Sequence, residues 1–127
     1  MAQQFVGRNY IPPDLLAKIT GRARYAEDFR AEGMLFTKLL LSPMPHARVR
    51  SIDTSAATAM PGVKAILTAD DLPDLAGAER ALTNEPVYAG EPILAVAAVD
   101  ELTAAEAVER IQVDLEPLPF VTDPLES

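Results

Sequence analysis

Chemistry in a protein needs side chains that can hold a metal, pass a proton or attack a carbon centre, and this sequence offers few of them. His46 is the one histidine, placed where the prolines of Ser42-Pro43-Met44-Pro45 give way to an alternating run. A lone imidazole can act as a general base only beside a reacting group and an orienting partner, and no second histidine exists to share a metal. It is read as a structural, hydrogen-bonding residue. The carboxylates Asp70, Asp71, Glu85, Glu91, Asp100 and Glu101 could supply an acid/base pair if two of them fell in unlike environments. Each stands next to a proline, a glycine or a helix start, so capping and solvation are their expected work.

Gly21, Gly33, Gly62 and Gly90 are isolated, with neither G-x-G-x-x-G nor G-x-x-x-x-G-K around them, so they turn the backbone rather than cradle a phosphate. G-x-S-x-G, H-E-x-x-H and EF-hand patterns are absent. Without a single cysteine the chain can form no disulfide and ligate no iron-sulfur cluster. No catalytic, cofactor-binding or metal-binding residue is therefore assigned to it.

A chain of 127 residues, 49% hydrophobic and 24% charged, has the makings of one aliphatic core. The formal charge of -8 argues against nucleic acid, whose binding needs a cationic patch. Residues 1–50 carry eight Lys and Arg against four Asp and Glu, and residues 51–127 carry three against fifteen. This polarity is expected to serve solubility first and partner steering second. Met1 to Arg8 lacks the layout of a signal peptide, and Pro92 to Val99 is too short to span a bilayer. The expectation is a soluble, cytoplasmic protein without membrane insertion.

Residues 1–30 lack a sustained period and contain Pro12-Pro13, and are expected to be an arm of short extended pieces that packs on a partner or domain edge. Residues 31–127 form the domain proper. Met34 to Leu41 suits a strand covered on both faces, and His46 to Asp53 suits a half-buried one with Arg48, Arg50 and Ile52 on one side. These two strands are expected to pair. Thr54 or Ser55 caps a short helix stopped by Pro61-Gly62, then comes a strand, Val63 to Thr68, and a capped turn at Thr68-Ala69-Asp70-Asp71. Leu72 to Ala89 reads as the longest loop, tolerant of insertions. After the strand Pro92 to Val99, a capping box at Thr103 and Glu106 opens a helix with Ala104, Ala107, Val108 and Ile111 on its core side. Val113 and Leu115 form a last strand with Asp114 and Glu116 outward. The alternation implies an α+β domain, a small mixed sheet with short helices.

Several short motifs stand in order along the chain. They are Thr20-Gly21-Arg22-Ala23-Arg24-Tyr25-Ala26-Glu27-Asp28, Gly33-Met34-Leu35, Ser42-Pro43-Met44-Pro45-His46-Ala47-Arg48 with Ile52-Asp53, and Pro61-Gly62-Val63 leading to Thr68-Ala69-Asp70-Asp71-Leu72. Gly90-Glu91-Pro92 with Ala95-Val96 follows, then Ala104-Ala105 and Ala107 leading to Val113-Asp114-Leu115-Glu116-Pro117-Leu118-Pro119. This series resembles the α/β-hammerhead domain that opens the molybdopterin-binding chain of molybdenum hydroxylases of the xanthine dehydrogenase and aldehyde oxidoreductase type. Members often have Arg where Leu41 stands, and a longer stretch between the Thr68 and Gly90 motifs.

The resemblance implies a structural part of a multi-subunit enzyme that hydroxylates heteroaromatic rings or oxidises aldehydes with oxygen from water. Its implied partners are a molybdopterin-binding large chain, a [2Fe-2S] subunit and a FAD subunit. Molybdopterin, [2Fe-2S] and FAD would all lie off this chain, because the family's pterin loops and active-site glutamate belong to domains after the hammerhead. Val121 to Ser127 reads as a connection leaving a finished domain, as at a split gene or a cut. Two alternatives stand beside this: a stand-alone, non-catalytic binding or regulatory module on the same scaffold, and a small hydrolase using His46 with a carboxylate.

Overall fold

The computed structural model describes residues 7, 9–73, 80–123 and 125. It divides into two units, Met1–Glu32 and Gly33–Ser127. In the first unit the expected extended arm contains a five-residue helix, α1 (Leu15–Ile19). Pro12 and Pro13 precede it, where missing amides cost a helix nothing, and Lys18 pairs with Asp14 one turn away at 2.6 Å. The Thr20 hydroxyl donates to the Leu16 carbonyl at 2.6 Å as the helix ends. A 3-10 turn, Ala26–Asp28, follows. It is closed by the Asp28 carboxylate, which accepts from the Tyr25 amide at 2.9 Å.

The second unit runs β1 (Phe36–Leu41), β2 (Ala47–Asp53), α2 (Ser55–Thr58), β3 (Val63–Thr68), a 3-10 turn (Ala69–Asp71), β4 (Pro92–Ala98), α3 (Glu101–Arg110) and β5 (Gln112–Pro117). The α+β class with short helices is as the sequence implies. The strands divide between two antiparallel sheets, a three-stranded one in the order β1-β4-β3 and a two-stranded one of β2 and β5. The expected β1–β2 hairpin does not form. Pro43 and Pro45 carry no amide to continue a ladder, so the chain leaves one sheet after Leu41 and enters the other at Ala47.

β2 also departs from plain alternation. Its register slips between Val49 and Ser51, leaving Arg50 as an extra residue against β5. The slip moves Ile52 off the face of the arginines and opposite Val113, beside Val49 opposite Leu115. Ile52 and Val113 thereby carry the small sheet onto a core of Ala57, Met60, Leu94, Val96, Ala107 and Ile111. The stripe of α3 packs there as its spacing predicts, with Ala104 and Ala107 fully buried against the larger sheet. Burying such aliphatic side chains contributes about 1.5–3 kcal/mol each for the larger ones.

Both caps are supplied by residues earlier in the chain than expected. Asp53, not Thr54 or Ser55, accepts from the Ser55 amide at 2.9 Å. Asp100, not Thr103, is the N-cap of α3, accepting from the amide and the hydroxyl of Thr103, each at 2.8 Å. A carboxylate on extended backbone reaches the free amides of a first turn at lower cost than a hydroxyl already inside the helix. No helix among the described residues is long and apolar enough to cross a membrane.

Candidate functional site

Of the residues singled out for chemistry, His46 and Glu85 meet where the second half of the long loop crosses the start of β2. The expected tolerant loop, Leu72 to Ala89, is anchored in its second half, from Arg80 to Ala89. Leu82 is 5% exposed and Pro86 is among the fully buried side chains. The Ala47 amide donates to the Pro86 carbonyl at 3.0 Å and the Val49 amide to the Asn84 carbonyl at 2.8 Å, so the segment lies along β2 like an extra strand. Residues 74–79 of the same expected loop lie outside the described residues.

His46 sits at the centre of this crossing. Its Nδ1 lies 2.7 Å from the Pro119 carbonyl oxygen. A carbonyl only accepts, so Nδ1 carries the proton. Nε2 faces Glu85 Oε1 at 3.6 Å. The other oxygen of Glu85 accepts from Arg48 Nε and Nη2 at 3.1 and 3.0 Å. The Arg48 hydrogen bond and charge hold the Glu85 carboxyl below its usual range, with a smaller contribution from His46. This is a clasp that ties the stretch after β5 and the loop to the start of β2. It offers no nucleophile, because the nearby Ser42 Oγ is buried and exchanges hydrogen bonds with the backbone of Met44 at 3.0 and 3.1 Å. Beside the clasp, His46, Val87, Pro119, Phe120 and Val121 line a shallow recess of about 390 Å³.

The six carboxylates are not brought together as an acid/base pair. Asp70 accepts from Asn84 Nδ2 at 2.7 Å, and Asp71 accepts from the amide and hydroxyl of Thr68, each at 2.8 Å. Glu91 accepts from the Val87 amide at 2.6 Å, and Glu101 pairs with Lys38 at 2.6 Å. Asp100 caps α3. The Thr68 amide and the Thr103 amide, then the hydroxyls, hold Asp71 and Asp100 below the usual carboxylate range. Arg48, Asn84 and Pro86 were not singled out from the sequence. Arg50 was not either, although its Nη2 lies 2.6 Å from a covered oxygen of Glu116, which draws that residue inward from its expected outward place.

No group of three or more metal-ligating side chains gathers among the described residues. The residues present do not fit an iron-sulfur cluster, since that needs cysteine thiolates and the chain has none. The glycines with positive φ stand singly at turns and form no phosphate cradle.

The family profile described as "Aldehyde oxidase and xanthine dehydrogenase, a/b hammerhead domain" matches residues 20–119. The chain is 43% identical to the carbon monoxide dehydrogenase large chain of Afipia carboxidovorans over 84% of its own length and 14% of that protein. It is 38% identical to the xanthine dehydrogenase molybdenum-binding subunit of Escherichia coli O157:H7, over 87% of this chain and 17% of that one. In structure it resembles the reconstituted carbon monoxide dehydrogenase from Oligotropha carboxidovorans, with a TM-score of 0.85 and 35% identity, covering 94% of this chain and 16% of that one. The chain thus spans about one-sixth of the length of these proteins. Sequence and fold agree, and the chain belongs to the molybdenum hydroxylase family of xanthine dehydrogenase, carbon monoxide dehydrogenase and aldehyde oxidoreductase, and within it to the hammerhead domain.

Proposed function

We propose that this chain is an architectural part of a multi-subunit molybdenum hydroxylase, one that positions molybdopterin-binding domains against a [2Fe-2S] subunit. No residue of the chain is assigned to catalysis in this reading. The observation that carries it is the meeting of distant motifs of the sequence in one hydrogen-bonded joint. Residues 42–48, 90–92 and 117–119 interlock through backbone hydrogen bonds and the His46 clasp, so the motif residues hold segments together. A sequence that spends its motifs on geometry builds a scaffold, and loops carried by a rigid scaffold are where partners attach.

In this reading the arm, residues 1–30, and the loop preceding β4 contact the partners, and molybdopterin, [2Fe-2S] and FAD reside on the other chains of a cytoplasmic complex. The substrate would be a heteroaromatic ring or an aldehyde, hydroxylated with oxygen from water. Purification from the native source with mass and metal analysis tests it. Recovery in a complex with molybdenum and iron is expected, and a lone 13.7 kDa species without either overturns it.

A further inference from the structure

The larger sheet has two faces, and the cluster under α3 covers one of them. Leu40, Leu94, Val96 and Ile66 face the cluster under α3. Alternation puts Thr37, Leu39, Leu41, Ala65, Leu67, Ile93, Ala95 and Ala97 on the other face, of which Ile93 is already fully buried. Leu39, Leu41 and Leu67 are 46%, 48% and 46% exposed there. An antiparallel sheet with one wet face reads apolar-in and polar-out. β1 departs from that: its charge, Lys38, lies on the helix side and pairs with Glu101, while its open side, Thr37, Leu39 and Leu41, carries none, and the exposed Lys64 stands beside Ala65 at the register shift of β3. β4 is apolar on both sides along its whole length, the pattern of a strand covered twice. The face is also shaped. In the register Leu39, Ala95 and Leu67 stand in one row, so a floor of small side chains on the central strand runs between leucines on its neighbours.

We infer that this outer sheet face, centred on Leu39, Ala95 and Leu67, seats an aliphatic segment of the molybdenum-bearing polypeptide. The inference rests on the functional reading above. The matched segment is 14% of the Afipia large chain and 17% of the Escherichia coli molybdenum-binding subunit, so there the same unit shares its molecule with a far larger remainder. Uncharged aliphatic contacts are the mark of permanent interfaces, whereas separable subunits meet through more polar ones. That assigns the face to the molybdenum-bearing polypeptide and leaves the charged surfaces to the other partners.

Hydroxyl-radical footprinting with mass spectrometry, comparing the isolated 127-residue chain with the assembled complex from the native source, tests the assignment. Oxidation of Leu39, Leu41 and Leu67 is expected to fall several-fold on assembly. In the isolated chain carrying Leu39→Asp and Leu67→Asp, checked for native circular dichroism, capture of the purified molybdenum-bearing polypeptide is expected to be lost. Leucines that label equally in the complex and in the free chain overturn the inference and leave the functional reading standing. A native complex without a molybdenum-bearing polypeptide overturns both. Protection that grows with concentration of the isolated chain assigns the face to a second copy, and protection at every concentration assigns it to the chain's own residues; either result overturns the proposal.

Discussion

Ser42 and Glu91 fasten the end of β1 to the start of β4: the Ser42 amide donates to the Glu91 carbonyl at 2.9 Å, just outside the two strands. The Gly90 amide returns a bond to the Ser42 carbonyl at 2.8 Å. Glu91 then uses its carboxylate on the Val87 amide, so one residue closes both the strand junction and the turn before it. Glu91→Ala removes only the second function. A loss of about 1 kcal/mol is expected, the net worth of one such hydrogen bond. Urea unfolding measures it, and amide exchange at residues 87–90 should quicken in the same variant.

Leu82 separates an anchored loop from a tolerant one. It is buried in a stretch whose polar composition hides it, and Leu82→Ala is expected to cost about 2–5 kcal/mol, as for a core leucine. Ala81→Ser, one position earlier and exposed, is expected to stay within about 0.5 kcal/mol. Thermal unfolding of the pair distinguishes the two descriptions, since a free loop would leave both variants alike.

His46 holds the stretch after β5 through the Pro119 carbonyl. His46→Ala is expected to cost about 1 kcal/mol and to speed amide exchange at Leu118, Phe120 and Val121, where the Leu118 amide donates to the His46 carbonyl at 3.0 Å. Were His46 catalytic, its loss would abolish an activity while leaving exchange unchanged.

What the sequence disclosed follows from range. The stripe of α3 and the apolar runs of β1 and β4 are local periods, readable over about ten residues. The pairing of β1 with β4 rather than β2 is set by contacts more than fifty residues apart, and no local pattern states it. The slip at Arg50 is invisible for the same reason, since a bulge is defined by the partner strand. His46 and Glu85 could each be named as polar residues of interest, but their approach depends on Pro86 and Leu82 drawing the loop onto β2. The exposed face of Leu39 was read as covered, which describes the strand's composition better than its place in this chain alone.

Among the described residues, Gly62 is the one glycine at which both backbone and space exclude a side chain. Its φ is +94°, and an added Cβ would stand 3.0 Å from Val99 Cγ2 and 3.3 Å from Thr103 Cγ2. The Val99 amide also donates to the Gly62 carbonyl at 3.0 Å, so the turn cannot move off without losing that bond. Gly62→Ala is expected to destabilise by about 1–3 kcal/mol. The urea midpoint measures this, and Gly33→Ala, which meets open space at a similar φ, should cost less.

Acid should unfold this protein through its caps. Hydrogen bonds from the Ser55 side chain and backbone hold Asp53 below the usual carboxylate range, as those from Thr68 hold Asp71 and those from Thr103 hold Asp100. A carboxyl whose folded pKa is depressed takes up its proton later than the same group in the unfolded chain. Its stabilisation is complete above the unfolded value of about 3.9, shrinks as pH falls below it, and is gone once pH passes the folded value. The contribution of these caps to the urea midpoint should therefore be level between about pH 5 and 8 and decline below the unfolded value. Asp100→Asn separates the titration from the cap. The amide oxygen still accepts from the Thr103 amide, so the variant should stay near wild type at neutral pH, but it has no proton to gain and its acid decline should be shallower. A decline as steep as wild type would remove Asp100 from the groups that carry the pH dependence and place it on Asp53, Asp71 and Glu85.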